Sequence, residues 1–147
     1  MLAGAAVAVK LMGVDEMYPD YTLSVVCYSP SFYANRSAAK GFARAYVQAL
    51  RDYNTALARP PGDPLRREVH ALIASFTRIP LATVEQMSPV GLSPNGGFNV
   101  QNVLDAYDFF LREGLLAQPL SDAQLQGMLG TDVLDEVLDE LGRVPES

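Results

Sequence analysis

The sequence predicts an α/β fold with about two strands near the N-terminus followed by about five helices, and is therefore mostly helical. Two N-terminal segments, residues 5–12 and 21–28, are rich in small, β-branched and aromatic residues. From residue 36 onward the apolar residues recur at spacings of three and four, which is the period of an amphipathic helix. The 147 residues, 49% of them hydrophobic, suit a single domain. Residues 1–60 would form its strand–strand–long-helix part and residues 61–147 its helical part.

The second strand is the stronger prediction. Residues 5–12 form a short apolar segment that ends at Gly13, and residues 14–20 form a polar connection in which Pro19 prevents regular pairing. Residues 21–28 (YTLSVVCY) follow, and Ser29-Pro30 ends them. Because Val25-Val26-Cys27 has no polar break, we expect this strand, with Cys27 as a small hydrophobic residue, to be buried on both faces.

The first two helices have clear boundaries. A long helix is predicted over residues 36–58, and Pro60-Pro61-Gly62 ends it. Asp63 is a favourable N-cap for the next helix, whose first residue is Pro64. The apolar stripe of the long helix consists of Phe42, Tyr46, Ala49, Tyr53 and Leu57. The stripe of the second consists of Leu65, Val69, Leu72, Ile73 and Phe76.

Three more helices are predicted. A short helix covers residues 81–87, and a turn follows at residues 93–97 (SPNGG). Asn99 can cap the next helix, which Gly114 closes. Its apolar stripe consists of Val100, Val103, Leu104, Tyr107, Phe110 and Leu111. The last helix starts near Thr131 and has an acidic face that we interpret as a solvated surface rather than a cation site.

The predicted sheet is incomplete. A two-stranded sheet is marginal by itself, and a buried strand needs neighbours on both of its edges. The first third of the chain therefore resembles the edge of a larger sheet, which favours a fragment or truncated form of a larger protein.

Charge and composition exclude several classes. Residues 1–78 contain nine Lys/Arg and six Asp/Glu, a net charge of +3, whereas residues 79–147 contain two Lys/Arg and eleven Asp/Glu, a net charge of −9. This distribution argues against nucleic-acid binding. The single cysteine excludes an intramolecular disulfide, and with only one histidine most zinc or copper sites are excluded too. No apolar run is long enough to span a bilayer, and residues 1–9 lack the basic residues of a signal peptide.

No catalytic constellation stands out. His70 has no partner nucleophile at helical spacing, so we interpret it as a solvated histidine at the edge of a helix stripe. The SPNGG turn lacks the Lys-Ser/Thr ending of a phosphate loop. The aromatic residues around the second strand fit either a ligand cleft or core packing; they are Tyr18, Tyr21, Tyr28, Phe32 and Tyr33.

The order of several short motifs resembles one family. These motifs are VAVKL at residues 7–11, GVDEMYP at 13–19, YSPSF at 28–32, RDYN at 51–54, MSPVGLSPNGG at 87–97, FFLREGL at 109–115 and VLDELG at 137–142. Together they are similar to the C-terminal region of ABC-transporter solute-binding proteins of the nitrate, sulfonate, taurine and thiamine-precursor class.

The resemblance implies a two-lobed periplasmic receptor of the type II binding-protein fold, which closes on a small molecule and delivers it to a membrane permease. Such a protein is not an enzyme and needs no cofactor. Tyr18, Tyr28 and Ser29 are predicted to lie nearest the ligand, since they offer two aromatic surfaces and a hydroxyl group near the end of the second strand. The N-terminal lobe that supplies most ligand contacts is not among these 147 residues.

Two alternatives remain open. The first is a stand-alone helical module that pairs with itself or with a partner protein, and an unpaired sheet edge would favour a homo-oligomer. The second is an enzyme of thiamine-pyrimidine synthesis on a similar architecture, which needs catalytic histidines and cysteines that this sequence lacks.

Overall fold

The computed structural model describes residues 11–18 and 20–146, which divide into two compact units. Unit 1 comprises the described parts of Met1–Cys27 together with Phe98–Gly130. Unit 2 comprises Tyr28–Gly97 and the described part of Thr131–Ser147. The chain enters unit 2 at Tyr28, returns to unit 1 at Phe98 and ends in unit 2.

The described residues form eight helices. Unit 1 contains α1 (Val14–Met17), α6 (Val100–Arg112) and α7 (Asp122–Met128). Unit 2 contains α2 (Pro30–Ala34), α3 (Arg36–Leu57), α4 (Pro64–Thr77), α5 (Leu81–Val84) and α8 (Asp132–Leu141).

The α/β prediction is wrong, because the described residues contain no β-strand. Residues 21–29 form no helix, turn or bend, and they make no strand pairing with other described residues. Leu23 is 77% exposed and Cys27 is exposed too, so the predicted burial is also wrong. A strand exists only by pairing, and the described residues offer it no partner. Residues 5–10 of the other predicted strand lie outside the described residues.

The predicted helix boundaries are confirmed where capping residues mark them. The N–H of Leu65 donates to Asp63 Oδ1 at 3.0 Å at the start of α4. The N–H of Asn102 donates to Asn99 Oδ1 at 3.2 Å at the start of α6, and Gly114 follows that helix with a φ of +69°. A left-handed conformation of this kind is a common helix ending and favours glycine.

Three short helices were not predicted, although two carry a recognisable start signal. Ser29 caps α2 by accepting a hydrogen bond from the N–H of Phe32 at 3.2 Å, with Pro30 as the first helical residue. Ser121 and Gln124 form a capping box at the start of α7. The third, α1, is a single turn inside the predicted polar connection.

The core of unit 2 lies between α3 and α8. The buried face of α3 follows Ala39, Ala43, Val47 and Leu50 rather than the predicted stripe, and Phe42 of that stripe is 45% exposed. Small residues on α3 allow the side chains of α8 to approach its backbone closely. From α8 the core receives Val133, Val137 and Leu138.

A ladder of ion pairs borders this core. On α3 it consists of Arg36, Lys40 and Arg44, and on α8 of Asp132, Glu136 and Glu140. The Arg36–Asp132 pair measures 2.7 Å and the Lys40–Glu140 pair 2.9 Å. Both sets repeat every four residues, so each lies on one face of its helix. The acidic face of α8 was predicted to be only solvated, and the structure pairs much of it with α3.

The ladder changes the acidity of its members. Hydrogen bonds from Lys40 and Arg36 lower the pKa of Glu136, and those from Lys40 and Arg44 lower the pKa of Glu140. The pKa of Asp132 is lowered mainly by a hydrogen bond from the Tyr33 hydroxyl at 2.8 Å, with a further contribution from Arg36.

Replacing Leu138 by alanine tests the core. Leu138 is 2% exposed, so Leu138→Ala should lower the free energy of unfolding by about 2–5 kcal/mol, the usual cost of such a cavity. Urea denaturation followed by circular dichroism measures the change. The exposed neighbour Asp139 is the control, and Asp139→Ala should stay within about 0.5 kcal/mol of the parent. Equal effects of the two substitutions would contradict the proposed core.

The ladder predicts a loss of stability in acid. Because the carboxyl pKa values are lowered in the folded chain, the stabilisation is complete above the ordinary value of about 4 and is lost as the pH falls through the lowered values. Thermal unfolding across pH should therefore show Glu136→Gln less stable than the parent at neutral pH and equal to it in strong acid. High salt should reduce the difference at neutral pH. A difference that does not change with pH would contradict this assignment.

Candidate interaction surface

Unit 1 has no buried side chain among its described residues. All buried residues of the described chain, such as Val47, His70 and Leu138, belong to unit 2. Large apolar side chains of unit 1 are exposed instead, and they include Tyr18, Tyr21, Leu23, Val25, Val26, Val100, Phe109, Phe110, Leu115 and Leu116. A folded domain normally buries such residues, and an exposed set of this size indicates an interaction surface.

Helix α6 likewise lacks buried apolar side chains. Its predicted apolar stripe is at best half-buried, and it packs against no other described helix of unit 1. The N–H of Leu120 donates to the Tyr107 hydroxyl at 2.7 Å and holds the following loop on the helix. Phe109 and Phe110 lie side by side with ring centroids 5.9 Å apart, and both are exposed. Since an isolated helix shorter than about 12–15 residues is marginal in water, α6 needs a covering surface.

Residues 21–27 of unit 1 are anchored near their first residue. The N–H of Thr22 donates to Asn102 Oδ1 at 2.8 Å, and the Thr22 hydroxyl accepts from the N–H of Asn99 at 2.7 Å. These bonds fix the segment to the first turn of α6. Beyond Thr22, the backbone groups of residues 23–27 have no hydrogen-bond partner among the described residues.

The predicted ligand residues fall in different units. Tyr18 belongs to unit 1 and is exposed, whereas Tyr28 and Ser29 belong to unit 2. The Tyr28 hydroxyl donates to the carbonyl oxygen of Ala39 at 3.1 Å, and burial raises its pKa. The Ser29 hydroxyl caps α2 and lies 3.2 Å from that of Ser31. Tyr28 and Ser29 therefore adjoin each other and both have a structural role.

Tyr28 belongs to an aromatic cluster in unit 2. Its ring meets those of Phe32 and Phe42 edge-on, with centroids 5.2 and 5.8 Å away. Phe42 in turn stacks parallel to Tyr46 at 6.2 Å. Tyr28 and Phe32 pack against the core, while Phe42 is partly exposed. The aromatic cluster thus presents the Phe42 ring to solvent.

The SPNGG turn has a structural role that the sequence did not predict. The side chain of buried Asn95 pairs with Val144, donating to its carbonyl oxygen at 2.7 Å and accepting from its N–H at 3.0 Å. Arg51 donates to the carbonyl oxygen of Gly142 at 2.6 Å. The turn and α3 together hold the chain after α8 in place. An amide side chain that bonds the backbone of a residue 49 positions away leaves no periodic signal in the sequence.

No group of three or more His, Cys, Asp or Glu side chains in the described part of the chain could hold a metal ion. His70 is buried in α4, contrary to the solvated position predicted for it. A hollow of about 430 Å³ is lined by Asp105, Asp108, Leu111 and Arg112, all on the single helix α6.

Comparison with known proteins identified no relative of this chain. No family model, curated protein or solved structure matches the chain. Within the residues that the structure describes, no helix has the length and apolar character needed to cross a membrane.

Proposed function

We propose that this chain is a helical protein-interaction and dimerisation module that binds through unit 1. The observation that carries the proposal is the contrast between the two units. Unit 2 has a core, ion pairs and bonded loops, whereas the described residues of unit 1 bury none of their many apolar side chains. Covering this surface by another polypeptide removes apolar area from water, at about 25 cal/mol per Å².

The contacts within unit 1 support a module that is completed by binding. The hydrogen bonds that Asn102 Oδ1 accepts from the N–H of Thr22, the Thr22 hydroxyl from the N–H of Asn99, and the Tyr107 hydroxyl from the N–H of Leu120 fix the local path of the chain. They bury no apolar side chain. A local framework of this kind holds the exposed residues in place before a partner arrives. Binding then loses less conformational entropy than it would with a disordered segment.

Hydrogen exchange at several protein concentrations tests the proposal. In dilute solution the amides of α6 should exchange much faster than those of α3 and α8, because α6 has no core to protect it. As the concentration rises, sedimentation should show association, and the α6 amides should become protected. Phe110→Ser should weaken the association, while Gln101→Ser, a change at an exposed polar site on the same helix, should not.

One result would contradict the proposal. In that result the chain is monomeric at every concentration, and the α6 amides of this monomer are already as protected from exchange as those of α3. Unit 1 would then be stable without any covering surface.

A second candidate is the solute-binding component of an ABC import system, to which the order of the sequence motifs points. The observation that favours it is the exposed Phe42 ring of the aromatic cluster, because an aromatic surface suits a flat heterocycle. Its ligand would be a sulfonate, nitrate or a thiamine pyrimidine precursor, its membrane partner an ABC permease and its location the periplasm. The β-sheet that this resemblance implies is absent from the described residues, so the candidate rests on the motif order and the aromatic cluster alone.

Calorimetry with taurine, nitrate and an aminopyrimidine distinguishes this candidate. Phe42→Ala should weaken binding at least tenfold with little loss of stability, because Phe42 is the most exposed ring of the cluster. Tyr28→Ala should also weaken binding, but a stability loss above about 2 kcal/mol would assign Tyr28 to core packing. Gln48→Ala, at an exposed polar site of the same helix outside the cluster, is the control. Absence of heat with all three ligands would contradict the candidate.

A further inference from the structure

We infer that unit 2 carries a binding site for a peptide segment with a carboxylate, and that the residues after α8 occupy this site as a tethered ligand. The occupying segment, residues 142–146 (GRVPE), is called the strap. The site consists of Arg51 on α3 together with Ser93 and Asn95 of the SPNGG turn. Site and strap both belong to unit 2, so the inference goes beyond the function proposed for unit 1 and does not depend on it.

A single amide side chain binds the backbone of the strap. The side chain of Asn95 accepts a hydrogen bond from the N–H of Val144 at 3.0 Å and donates to the carbonyl oxygen of Val144 at 2.7 Å. Pro145 follows Val144, and a residue before proline favours the extended backbone, in which its N–H and carbonyl group point to the same side. Because these two bonds are made to the main chain, a second peptide with the same backbone path can form them equally well.

The carboxylate of Glu146 gives the site its preference for an acidic ligand. Its Oε1 atom accepts from the Ser93 hydroxyl at 3.0 Å and from the Asn95 amide at 2.9 Å. Hydrogen bonds to an ionised acceptor are stronger than those between neutral groups. Pro145 lies between the bound backbone and the carboxylate, and its fixed φ lowers the entropy lost on binding. The recognised pattern is therefore a residue with a free N–H, followed by proline and glutamate.

The turn keeps its shape through contacts that do not involve the strap. The Ser93 hydroxyl oxygen accepts from the N–H of Asn95 at 3.2 Å and from the N–H of Gly97 at 3.0 Å. Gly96 has a φ of +71°, and a Cβ atom there would lie 3.4 Å from the side chain of Leu134 on α8. The site is therefore held by the core of unit 2, and it is formed before any peptide binds.

The strap can leave without disturbing the core. All five of its residues are exposed, whereas Leu141, the last residue of α8, packs against the core. Gly142 separates the two with a φ of +74°, so the strap can turn away while the helix stays in place. Arg143 of the strap pairs with Asp135 at 2.6 Å, but an exposed pair of this kind contributes little. Opening the strap thus frees the Asn95 amide for a competing peptide.

A labelled peptide tests the site in the full chain. Val144→Pro removes the N–H that Asn95 binds and Glu146→Ala removes the carboxylate, so the double variant releases the strap from the turn. The probe is GRVPE-amide with fluorescein at its N-terminus, and its fluorescence anisotropy measures binding. The double variant should bind the probe about tenfold more tightly than the parent, because the tethered strap of the parent competes at a high effective concentration.

Two control peptides leave the protein unchanged. GRVPQ replaces the carboxylate by an amide, and it should bind the double variant about tenfold more weakly because a hydrogen bond to a charged group is lost. GRPPE has no N–H at the recognised residue and should show no saturable binding. Adding Asn95→Ala to the double variant should also abolish binding of GRVPE.

The outcomes decide the inference in each case. Equal binding of the three peptides by a folded double variant, or binding of none of them, would overturn the site. Equal affinity of the parent and the double variant for GRVPE would overturn the tethered occupancy. Should circular dichroism show that the double variant is unfolded, hydrogen exchange of the parent decides. Excess GRVPE should then speed exchange of the Val144 amide while GRPPE does not, and no change with either peptide would overturn the inference.

Discussion

The close packing of α3 against α8 is the contact on which unit 2 depends. Ala39 and Ala43 have side chains small enough to let Val137 and Leu138 reach the backbone of α3, and this brings the two helices together. Dispersion and apolar burial then act over the whole length of α8. The bonds from Arg51 and Asn95 to the residues after α8 are possible only because α8 already lies there.

The same contact explains the unequal charge of the two halves of the sequence. Three of the cations in the first half lie on α3 and meet three of the carboxylates of the second half on α8. The charges that a linear count separates into a basic and an acidic half are therefore neighbours in the fold. Ladder pairs at partly exposed positions contribute little individually, so their larger effect is to favour one rotation of α8 on α3.

The contrast between the units gives the molecule its functional interest. Unit 2 has a buried core between α3 and α8, although it also exposes large apolar side chains such as Leu72 and Phe76. Its aromatic cluster presents the Phe42 ring to solvent. Unit 1 holds its chain with local hydrogen bonds but leaves its apolar side chains uncovered in the described residues. Burial by a second polypeptide would provide the hydrophobic stabilisation that unit 1 does not obtain from its own residues. The proposed interaction module would use the exposed side chains of unit 1, whereas the solute-binding candidate would use the exposed Phe42 ring of unit 2.

The sequence by itself determined the helices whose ends are marked by local chemistry, as with Asp63-Pro64 before α4 and Asn99 and Gly114 around α6. Capping depends on residues a few positions apart, so it can be inferred without the fold. Residues 21–28 form no helix, as the sequence predicted, but whether they form a strand depends on a pairing partner, which the local sequence cannot specify. Only the tertiary structure decided which face of α3 is buried, because that depends on the shape of α8, and it placed Tyr28 in a packed aromatic cluster. Asn95 and the ladder were missed for the same reason, since they join residues 49 and about 100 positions apart.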